Sequence, residues 1–167
     1  MSTTFEGRVW KFGDDMNTDL MNPGFALHLP QDEQPQHCFS ANRPGWSAQV
    51  RPGDVLVVGR NFGVGSARPI ARILAQLGVI GIVSEAFNGL ALRMAVNLGM
   101  PVLECAGVTD LFEEGQIARV DWATGSVLNV TTGARLDAVP LPEPLRDIIV
   151  AGGVEAVLER EGYLVEP

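Results

Sequence analysis

The sequence of 167 residues contains few cysteines, a minority of basic charges and no long apolar run. Its two cysteines, Cys38 and Cys105, lie far apart and outside any CxxC spacing, which argues against a disulfide framework and a zinc knuckle. An iron-sulfur cluster takes about three or four cysteine ligands, so this chain has too few to hold one alone. We therefore expect both thiols to be inert, as free cysteines in proteins usually are.

Basic residues are outnumbered by acidic ones. Twelve Lys and Arg against twenty Asp and Glu give a formal net charge of -8 without any basic run, which argues against a nucleic-acid partner. The start of the chain, MSTTFEGRVW, lacks a basic segment followed by an apolar one, and no stretch approaches the roughly 20 apolar residues of a membrane span. We expect a soluble cytoplasmic protein with no membrane partner.

What is present indicates one α/β domain over residues 1–167. Hydrophobic residues make up 46% of the chain, and a chain of this length can bury a sizeable core. Strands are predicted at 7–12, 54–58, 79–83 and 101–103, of which 54–58 and 79–83 are expected to be buried. Two apolar stripes at helical spacing lie between them: Ile70, Ile73, Leu74 and Leu77, then Ala91, Met94, Ala95 and Leu98. Such alternation predicts a mostly parallel sheet flanked by helices.

Two segments depart from this alternation. In the C-terminal third, IARV and VLNV flank DWATGS, which predicts an antiparallel hairpin closed near Gly125. A C-terminal helix is predicted from about residue 145, interrupted at Gly152 and Gly153. The segment 22–52 has five prolines and little periodicity, so we predict a long surface loop and a candidate substrate lid.

The motif GVGSAR at 63–68 is the strongest candidate for a chemical site. It lies between a buried strand and a predicted helix start, where free backbone N–H groups and the helix macrodipole attract anions. Such amides would stabilise Ser66 as a transient alkoxide and let it act as a general base. Arg68 offers a planar fork to a carboxylate. The pattern predicts a site that removes a proton from a polycarboxylic acid.

Two other interpretations of this motif remain open. Ser66 could be a plain helix N-cap, and Arg68 a solvated residue of the first helical turn. Gly63, Gly65 and a strand ending near Glu85 also resemble a dinucleotide-binding fingerprint. Arg68 stands at the third glycine position of that fingerprint, which argues against it because the close helix-to-strand contact is lost.

Three strings, in the same order and at the same spacing, resemble one known family: KFGDDMNTDLMNPGFAL, GDVLVVGRNFGVGSARP and AFNGLALRMAVNLGMPVL. They look like the small subunit of 3-isopropylmalate dehydratase and the swivelling domain of aconitase, closely over about residues 6–105. The resemblance implies a swivelling β/β/α domain whose active loop faces a large subunit with a 4Fe-4S cluster. It also implies a hydro-lyase of leucine biosynthesis that acts on a small di- or tricarboxylic acid only with that partner.

The resemblance assigns roles residue by residue. Ser66 matches the family's catalytic base, which removes the proton beside a carboxylate, and Arg68 matches the residue that binds a substrate carboxylate. Thr18 and Asp19 match the family's TD pair, which makes Asp19 a catalytic residue and Thr18 a substrate contact. A simple turn-capping role for Asp19 is the alternative.

Further positions follow from the same matches. Gly65 and Ala67 complete the predicted substrate contacts. Arg93 and Asn97 match a family RNAxNxG stretch, and for both we expect a buried structural pairing. The two histidines of the sequence match no catalytic histidine of the family and are expected in loops.

Several departures from the family pattern bear on the substrate. Ala67 replaces a second loop serine, Pro69 and Ile70 replace a Glu-His pair, and PGFAL at 23–27 replaces a PARYL element with its arginine. The substrate is therefore left open between isopropylmalate and a related methylated malate or fumarate-type diacid. The same changes motivate a further alternative, a non-catalytic domain that retains the fold.

Overall fold

Seven strands form a sheet in this computed structural model, which describes residues 2–164. Numbered along the chain, they are β1 (Thr4–Phe12), β2 (Val55–Val58), β3 (Gly81–Ser84), β4 (Val102–Glu104), β5 (Ile117–Asp121), β6 (Ser126–Asn129) and β7 (Arg135–Asp137). Their spatial order is β4-β3-β2-β1-β5-β6-β7. Strands β1 to β4 pair in parallel, whereas β1, β5, β6 and β7 pair antiparallel.

The parallel and antiparallel halves of the sheet differ in how far their strands are buried. Every residue of β2 and of β3 is buried. Parallel strands are covered on both faces, which is why VLVV and GIVS carry no polar alternation. β5 alternates between buried and more exposed positions, as expected of an antiparallel strand with one face toward the core.

Helices cover the sheet and connect its parallel strands. They are α1 (Thr18–Met21), α2 (Ile70–Gln76), α3 (Gly89–Asn97), α4 (Val108–Leu111), α5 (Glu143–Ala151) and α6 (Val154–Arg160). Just beyond α2 and α3, Gly78 and Gly99 have φ of 89° and 72°, the left-handed conformation of a C-terminal cap. The predicted α/β class, with helices flanking a parallel sheet, is confirmed.

The prediction of a long surface loop over 22–52 is wrong for its second half. Phe39 and Trp46 are fully buried. Phe39 stacks on Phe12 with ring centroids 4.2 Å apart, and Trp46 meets both rings edge-on. Three 3₁₀ helices fold the segment: Gly24–His28, Gln34–His37 and Trp46–Ala48. Burial of large aromatic rings outweighs the weak periodicity. Only the stretch 24–33, which is mostly exposed although Ala26 is buried, remains a candidate lid.

The C-terminal third has the predicted hairpin and helices. β5 and β6 pair antiparallel across a turn in which Gly125 has φ of 82°. Gly152 and Gly153 separate α5 from α6, as predicted. The sequence pattern does not predict β7, because a strand of three mostly exposed residues has no periodic apolar signal.

Within residues 2–164, none of the helices has the length and apolar character needed to cross a membrane.

Candidate active site

Two loops meet at the carboxyl-terminal ends of the parallel strands. One follows β1 and leads into α1, and the other follows β2 and leads into α2. The N–H of Thr18 donates to the carbonyl of Val64 (2.9 Å), and the N–H of Gly63 donates to the carbonyl of Met16 (2.8 Å). The segments that carry the TD pair and the GVGSAR motif therefore lie side by side, at the edge of the sheet where open α/β sheets bind ligands.

Unusual backbone conformations lock these loops together. Asp15 and Asn61 have positive φ angles of 56° and 60°. The N–H of Asp15 donates to the carbonyl of Arg60 (2.9 Å), and Nδ2 of Asn61 donates to Oδ1 of Asp15 (2.9 Å). Such conformations cost free energy and cluster at functional sites. Sequence reasoning missed both residues; the signal was the tolerance of Asp and Asn for left-handed backbone.

The glycines of the motif have packing roles. Gly63 and Gly65 have φ of 80° and 117°. A Cβ at Gly63 would lie 2.2 Å from Cβ of Ala91 in α3, and a Cβ at Gly65 would lie 2.7 Å from Oγ1 of Thr18. Close approach thus explains both glycines without a bound nucleotide.

Arg68 is buried, not a solvated residue of the first helical turn. Its side chain is 9% exposed. Nη1 donates to the backbone carbonyls of Thr18 (3.2 Å) and Asn22, and Nη2 donates to the carboxylate of Asp19. The Thr18 carbonyl also accepts from the N–H of Asn22 (2.9 Å), so Arg68 is its second donor. The guanidinium fork satisfies several acceptors at once. Arg68 therefore ties the GVGSAR loop to α1.

Asp19 lies at the surface of this arrangement. Its side chain is 72% exposed although it is ion-paired with Arg68. The N-cap of α1 is Asn17, whose side chain accepts from the N–H of Leu20 (2.9 Å). The capping role proposed as the alternative for Asp19 thus belongs to Asn17, and the Asp19 carboxylate is available to a ligand beside Arg68.

Buried polar groups around Arg68 lack partners within residues 2–164. They are Oγ1 of Thr18, Nε of Arg68 and both side-chain polar atoms of Asn22. Buried polar groups are normally hydrogen-bonded, so each calls for a water or ligand partner. Thr18 and Arg68 also line a common cavity beside Ser66, which gives such a partner a place.

Ser66 is exposed and is not a helix N-cap. α2 begins four residues later, at Ile70, with Pro69 as its N-cap. The N–H of Ile70 donates to the carbonyl of Arg68 (2.8 Å). The expectation that the first amides of α2 hold the Ser66 oxygen is therefore wrong for this chain. Ala67 is exposed next to Ser66, as is Gly65.

The cavity beside Ser66 is small. Its volume is about 20 Å³, room for about one water molecule. Thr18, Ala67 and Arg68 supply part of its lining, and most of the rest is apolar, from α1, α2, α3, β3 and the loop before Ser66. A dicarboxylic acid does not fit inside it.

Glu85, the acid of the dinucleotide interpretation, is engaged within the fold. It accepts from the N–H of Gly107 (2.8 Å) and from the N–H and Oγ1 of Thr109 (2.9 and 2.8 Å). Burial acts to raise the pKa of Glu85, but these hydrogen bonds and the charge of Arg60 outweigh it, so the pKa is lowered. A ribose-binding carboxylate needs free oxygens, so this contact disfavours a dinucleotide site.

The buried structural pairing expected for Arg93 and Asn97 is wrong. Both side chains are exposed on α3, because the buried residues of that helix are Ala95 and Val96.

The two cysteines are buried. Burial raises the pKa of Cys38 far above its ordinary value and that of Cys105 to about 11, which keeps both as unreactive thiols. Within residues 2–164, no group of three or more His, Cys, Asp or Glu side chains could hold a metal ion.

Similar proteins share nearly the whole chain. The chain is 41% identical over 164 residues to "3-isopropylmalate dehydratase small subunit 1" of Methanopyrus kandleri, covering 97% of this chain and 96% of the relative. It is 35% identical over 163 residues to "Isopropylmalate/citramalate isomerase small subunit" of Methanocaldococcus jannaschii, covering 96% and 97%. No family model matches the chain.

A solved structure has the same fold. The crystal structure of 3-isopropylmalate dehydratase from Methanocaldococcus jannaschii superposes with a TM-score of 0.89 at 26% identity, covering 96% of both chains. The likeness therefore extends beyond residues 6–105 to the C-terminal hairpin and helices, and it agrees with the swivelling-domain fold expected from the sequence.

Proposed function

Because the chain belongs to the family of 3-isopropylmalate dehydratase small subunits, we propose that it forms a hydro-lyase with a large subunit. The pair would remove water from, or add water to, a substituted malate-type diacid in cytoplasmic leucine biosynthesis. The observation that carries the proposal is the meeting of Ser66, Arg68 and Asp19 at one open edge of the sheet.

Ser66 is the proposed general base. Its oxygen takes the proton from the carbon beside a substrate carboxylate, the C–H electron pair becomes the new double bond, and the hydroxyl leaves the neighbouring carbon. Ser66 must first give its own proton to solvent water, and the departing hydroxide takes up one proton and is released as water. Since α2 starts too late to reach it, the donors that stabilise its alkoxide come from the partner's side of the site in this proposal.

Arg68 is the proposed carboxylate-binding residue, and Asp19 sets its position. Nη1 is occupied by two backbone carbonyls, whereas Nε is unpaired and Nη2 is shared with Asp19. Nη2, which reaches the exposed carboxylate of Asp19, is therefore the nitrogen of the fork that a substrate carboxylate at the surface would use. Thr18 Oγ1, buried and unpaired in the described structure, is proposed as an adjoining hydrogen-bonding group.

The large subunit completes the site in this proposal. The cavity beside Ser66 is far smaller than a diacid, and Ser66 and Asp19 are exposed. A partner that covers this edge would enclose the substrate and exclude water from the proton transfer.

The 4Fe-4S cluster is assigned to the large subunit. The donor set within residues 2–164 does not fit one, since its two cysteines are buried and apart. Bound to the partner, the cluster supplies a Lewis acid for the substrate hydroxyl. The present chain contributes proton removal and carboxylate binding.

An alkyl-substituted malate is the proposed substrate. Phe25 and Leu27 are 58% and 42% exposed, and they follow Asn22, whose carbonyl binds Arg68. Exposed apolar side chains three and five residues beyond a contact of Arg68 favour a substrate with an alkyl group. A relative is named for both isopropylmalate and citramalate, which supports this class.

The test is anaerobic co-expression of the chain with the large dehydratase subunit encoded nearest to it. Formation of unsaturated diacid is followed by ultraviolet absorbance with malate, 2-methylmalate and 3-isopropylmalate. We expect turnover of an alkyl malate by the complex, less with malate, and none with either subunit alone. Turnover by the isolated chain would contradict the shared site. A stable complex inert to every diacid would instead favour a non-catalytic domain.

A further inference from the structure

A second surface lies next to the candidate active site. A groove of about 560 Å³ runs between α3, the end of β4 and the segment 137–142. Its acidic rim consists of Glu85, Glu104 and Asp137, and apolar side chains line its floor and mouth. We call it the acidic groove.

The curvature of the sheet creates the acidic groove. β4 and β7 stand at opposite ends of the strand order, yet Glu104 of β4 and Asp137 of β7 line the same groove. A strongly twisted sheet brings its edges toward each other in this way. The groove is therefore a feature of the whole fold.

The acidic groove exposes apolar surface on a stiff segment. Val139 is 85% exposed, the most of the large apolar side chains in the described residues. It precedes Pro140 and lies near Pro142, and proline rings fix the local backbone. Little conformational entropy is therefore lost when a partner orders this segment.

The charge of the rim selects a cationic partner. Glu104 is exposed and accepts only the N–H of Phe87 (2.7 Å) in the described structure. Asp137 is 74% exposed and paired with the equally open Arg135. An exposed ion pair of this kind adds little to the stability of the fold, so Asp137 can readily exchange Arg135 for another cation. Both carboxylates thus remain available to Lys or Arg.

The acidic groove is continuous with the edge that carries Ser66. Glu104 binds the N–H of Phe87, whose ring lies 5.7 Å, centroid to centroid, from that of Phe62. Phe62 belongs to the loop that also carries Ser66, and its backbone bridges to Phe87. A subunit that covers Ser66 would reach the groove without leaving this face of the molecule.

We propose that the acidic groove is a second docking site for the large subunit, which inserts a segment bearing an apolar side chain against Val139 and a Lys or Arg between Glu104 and Asp137. This inference rests on the proposed function, because it names the partner of the same edge. The apolar contact would hold the subunits together, while the charges would speed and orient their encounter.

The test measures the affinity of the chain for the large subunit by sedimentation, at several salt concentrations, under anaerobic conditions. Val139→Asp should weaken binding about tenfold or more. The double variant Glu104→Gln with Asp137→Asn removes both negative charges but keeps an acceptor oxygen in each side chain. It should weaken binding at low salt and make the affinity for the large subunit less dependent on salt concentration. Each variant is first checked for an unchanged melting temperature.

Matched controls lie away from the groove. Val130→Ser changes another exposed valine, 40% exposed at the end of β6. Glu155→Gln with Glu159→Gln removes two exposed charges from α6. Both controls should bind as the unmodified chain does.

The outcomes separate this proposal from the proposed function. If the unmodified chain binds and the groove variants bind equally well with the same salt dependence, the docking site is wrong while the heteromer stands. If the unmodified chain does not bind the large subunit, the proposed function itself fails. If the isolated chain instead associates with itself and Val139→Asp abolishes that association, the groove binds a second copy of the chain and the proposal is overturned.

Discussion

At the scale of single residues, Arg68 determines the shape of the candidate site. Its buried guanidinium satisfies the carbonyls of Thr18 and Asn22 while it holds the exposed carboxylate of Asp19. A lysine in its place would offer one ammonium without the planar fork. The site therefore depends on arginine for its geometry as well as for its charge.

Replacing Asp19 tests its positioning role. Asp19→Ala removes one acceptor from Arg68 but no buried side chain, since Asp19 is 72% exposed. We expect a melting temperature close to that of the unmodified chain, because an exposed ion pair adds little stability. We also expect kcat/KM of the complex to fall by about tenfold or more, because a displaced Arg68 would hold the substrate in the wrong orientation. Asp147→Ala, which changes another exposed aspartate on α5, serves as the control in the same steady-state assay. Equal kinetics for the two variants would show that Asp19 has no part in the site.

Sequence motifs predicted which residues meet in the site but not how each is held. Ser66, Arg68, Thr18 and Asp19 stand at matched motif positions, so their proximity follows from the fold. The burial of Arg68 does not, because it depends on the short turn α1 bringing the carbonyls of Thr18 and Asn22 to the guanidinium. Motif spacing also gave no means of seeing that α2 begins too late to reach Ser66.

At the scale of elements, close approach of two loops builds the site. Gly65 lies against Thr18 with φ of 117°, and a Cβ there would meet Oγ1 of Thr18 at 2.7 Å. The loop after β1 and the loop after β2 share this contact, so spreading them would move Ser66 relative to Asp19.

Gly65→Ala should therefore lower turnover of the complex by about tenfold or more, because a shift of about 1 Å misaligns the reacting groups. Gly133→Ala is the matched control: its φ is 80°, but a Cβ there meets nothing within 4 Å. Backbone strain costs about 1–2 kcal/mol at Gly133 and more at Gly65, whose φ of 117° lies outside the left-handed helical region; thermal melting would report both. Turnover that falls equally in both would attribute the effect to strain and not to the contact.

A buried carboxylate joins β1 to the start of β2. Asp54 accepts from Nη2 of Arg8 (2.6 Å), from Nε1 of Trp10 (2.7 Å) and from the N–H of Arg51 (2.8 Å). Burial acts to raise the pKa of Asp54, but these hydrogen bonds and the charge of Arg8 outweigh it, so the pKa is lowered. The carboxylate is thus more acidic in the folded chain than in the unfolded one.

The resulting stabilisation has a predictable pH dependence. It is present above the unfolded pKa of about 4 and is lost as pH falls through the lower folded pKa. Asp54→Asn should lower the free energy of unfolding by about 1–3 kcal/mol at neutral pH. Urea titrations at neutral and at acid pH should show this difference shrinking on acidification. A difference that does not change with pH would refute the account.

The alternating elements were predictable because their apolar periodicity is strong, as in VLVV of β2. The folded half of segment 22–52 was not, because its stability comes from Phe39 and Trp46 packing on Phe12, a contact between positions far apart in sequence. β7 was missed for the opposite reason, since its three residues carry almost no buried surface.

At the scale of the whole molecule, the chain presents one functional edge. The carboxyl ends of β1 and β2 carry the candidate catalytic residues, and the ends of β3 and β4 lead to the acidic groove. Both surfaces are open in the isolated chain. A partner covering this edge would explain why a site without an enclosed pocket for a diacid can still act on one.

The central claim, that this chain supplies the general base, is tested most directly by comparing turnover of the anaerobically assembled complex with and without the Ser66 hydroxyl. Ser66→Ala should assemble with the large subunit as the unmodified chain does and lose at least about a hundredfold in kcat for an alkyl malate, whereas the control Ser126→Ala, in β6, should keep full activity. Full turnover by the Ser66→Ala complex would contradict the assignment of this chain as the source of the base.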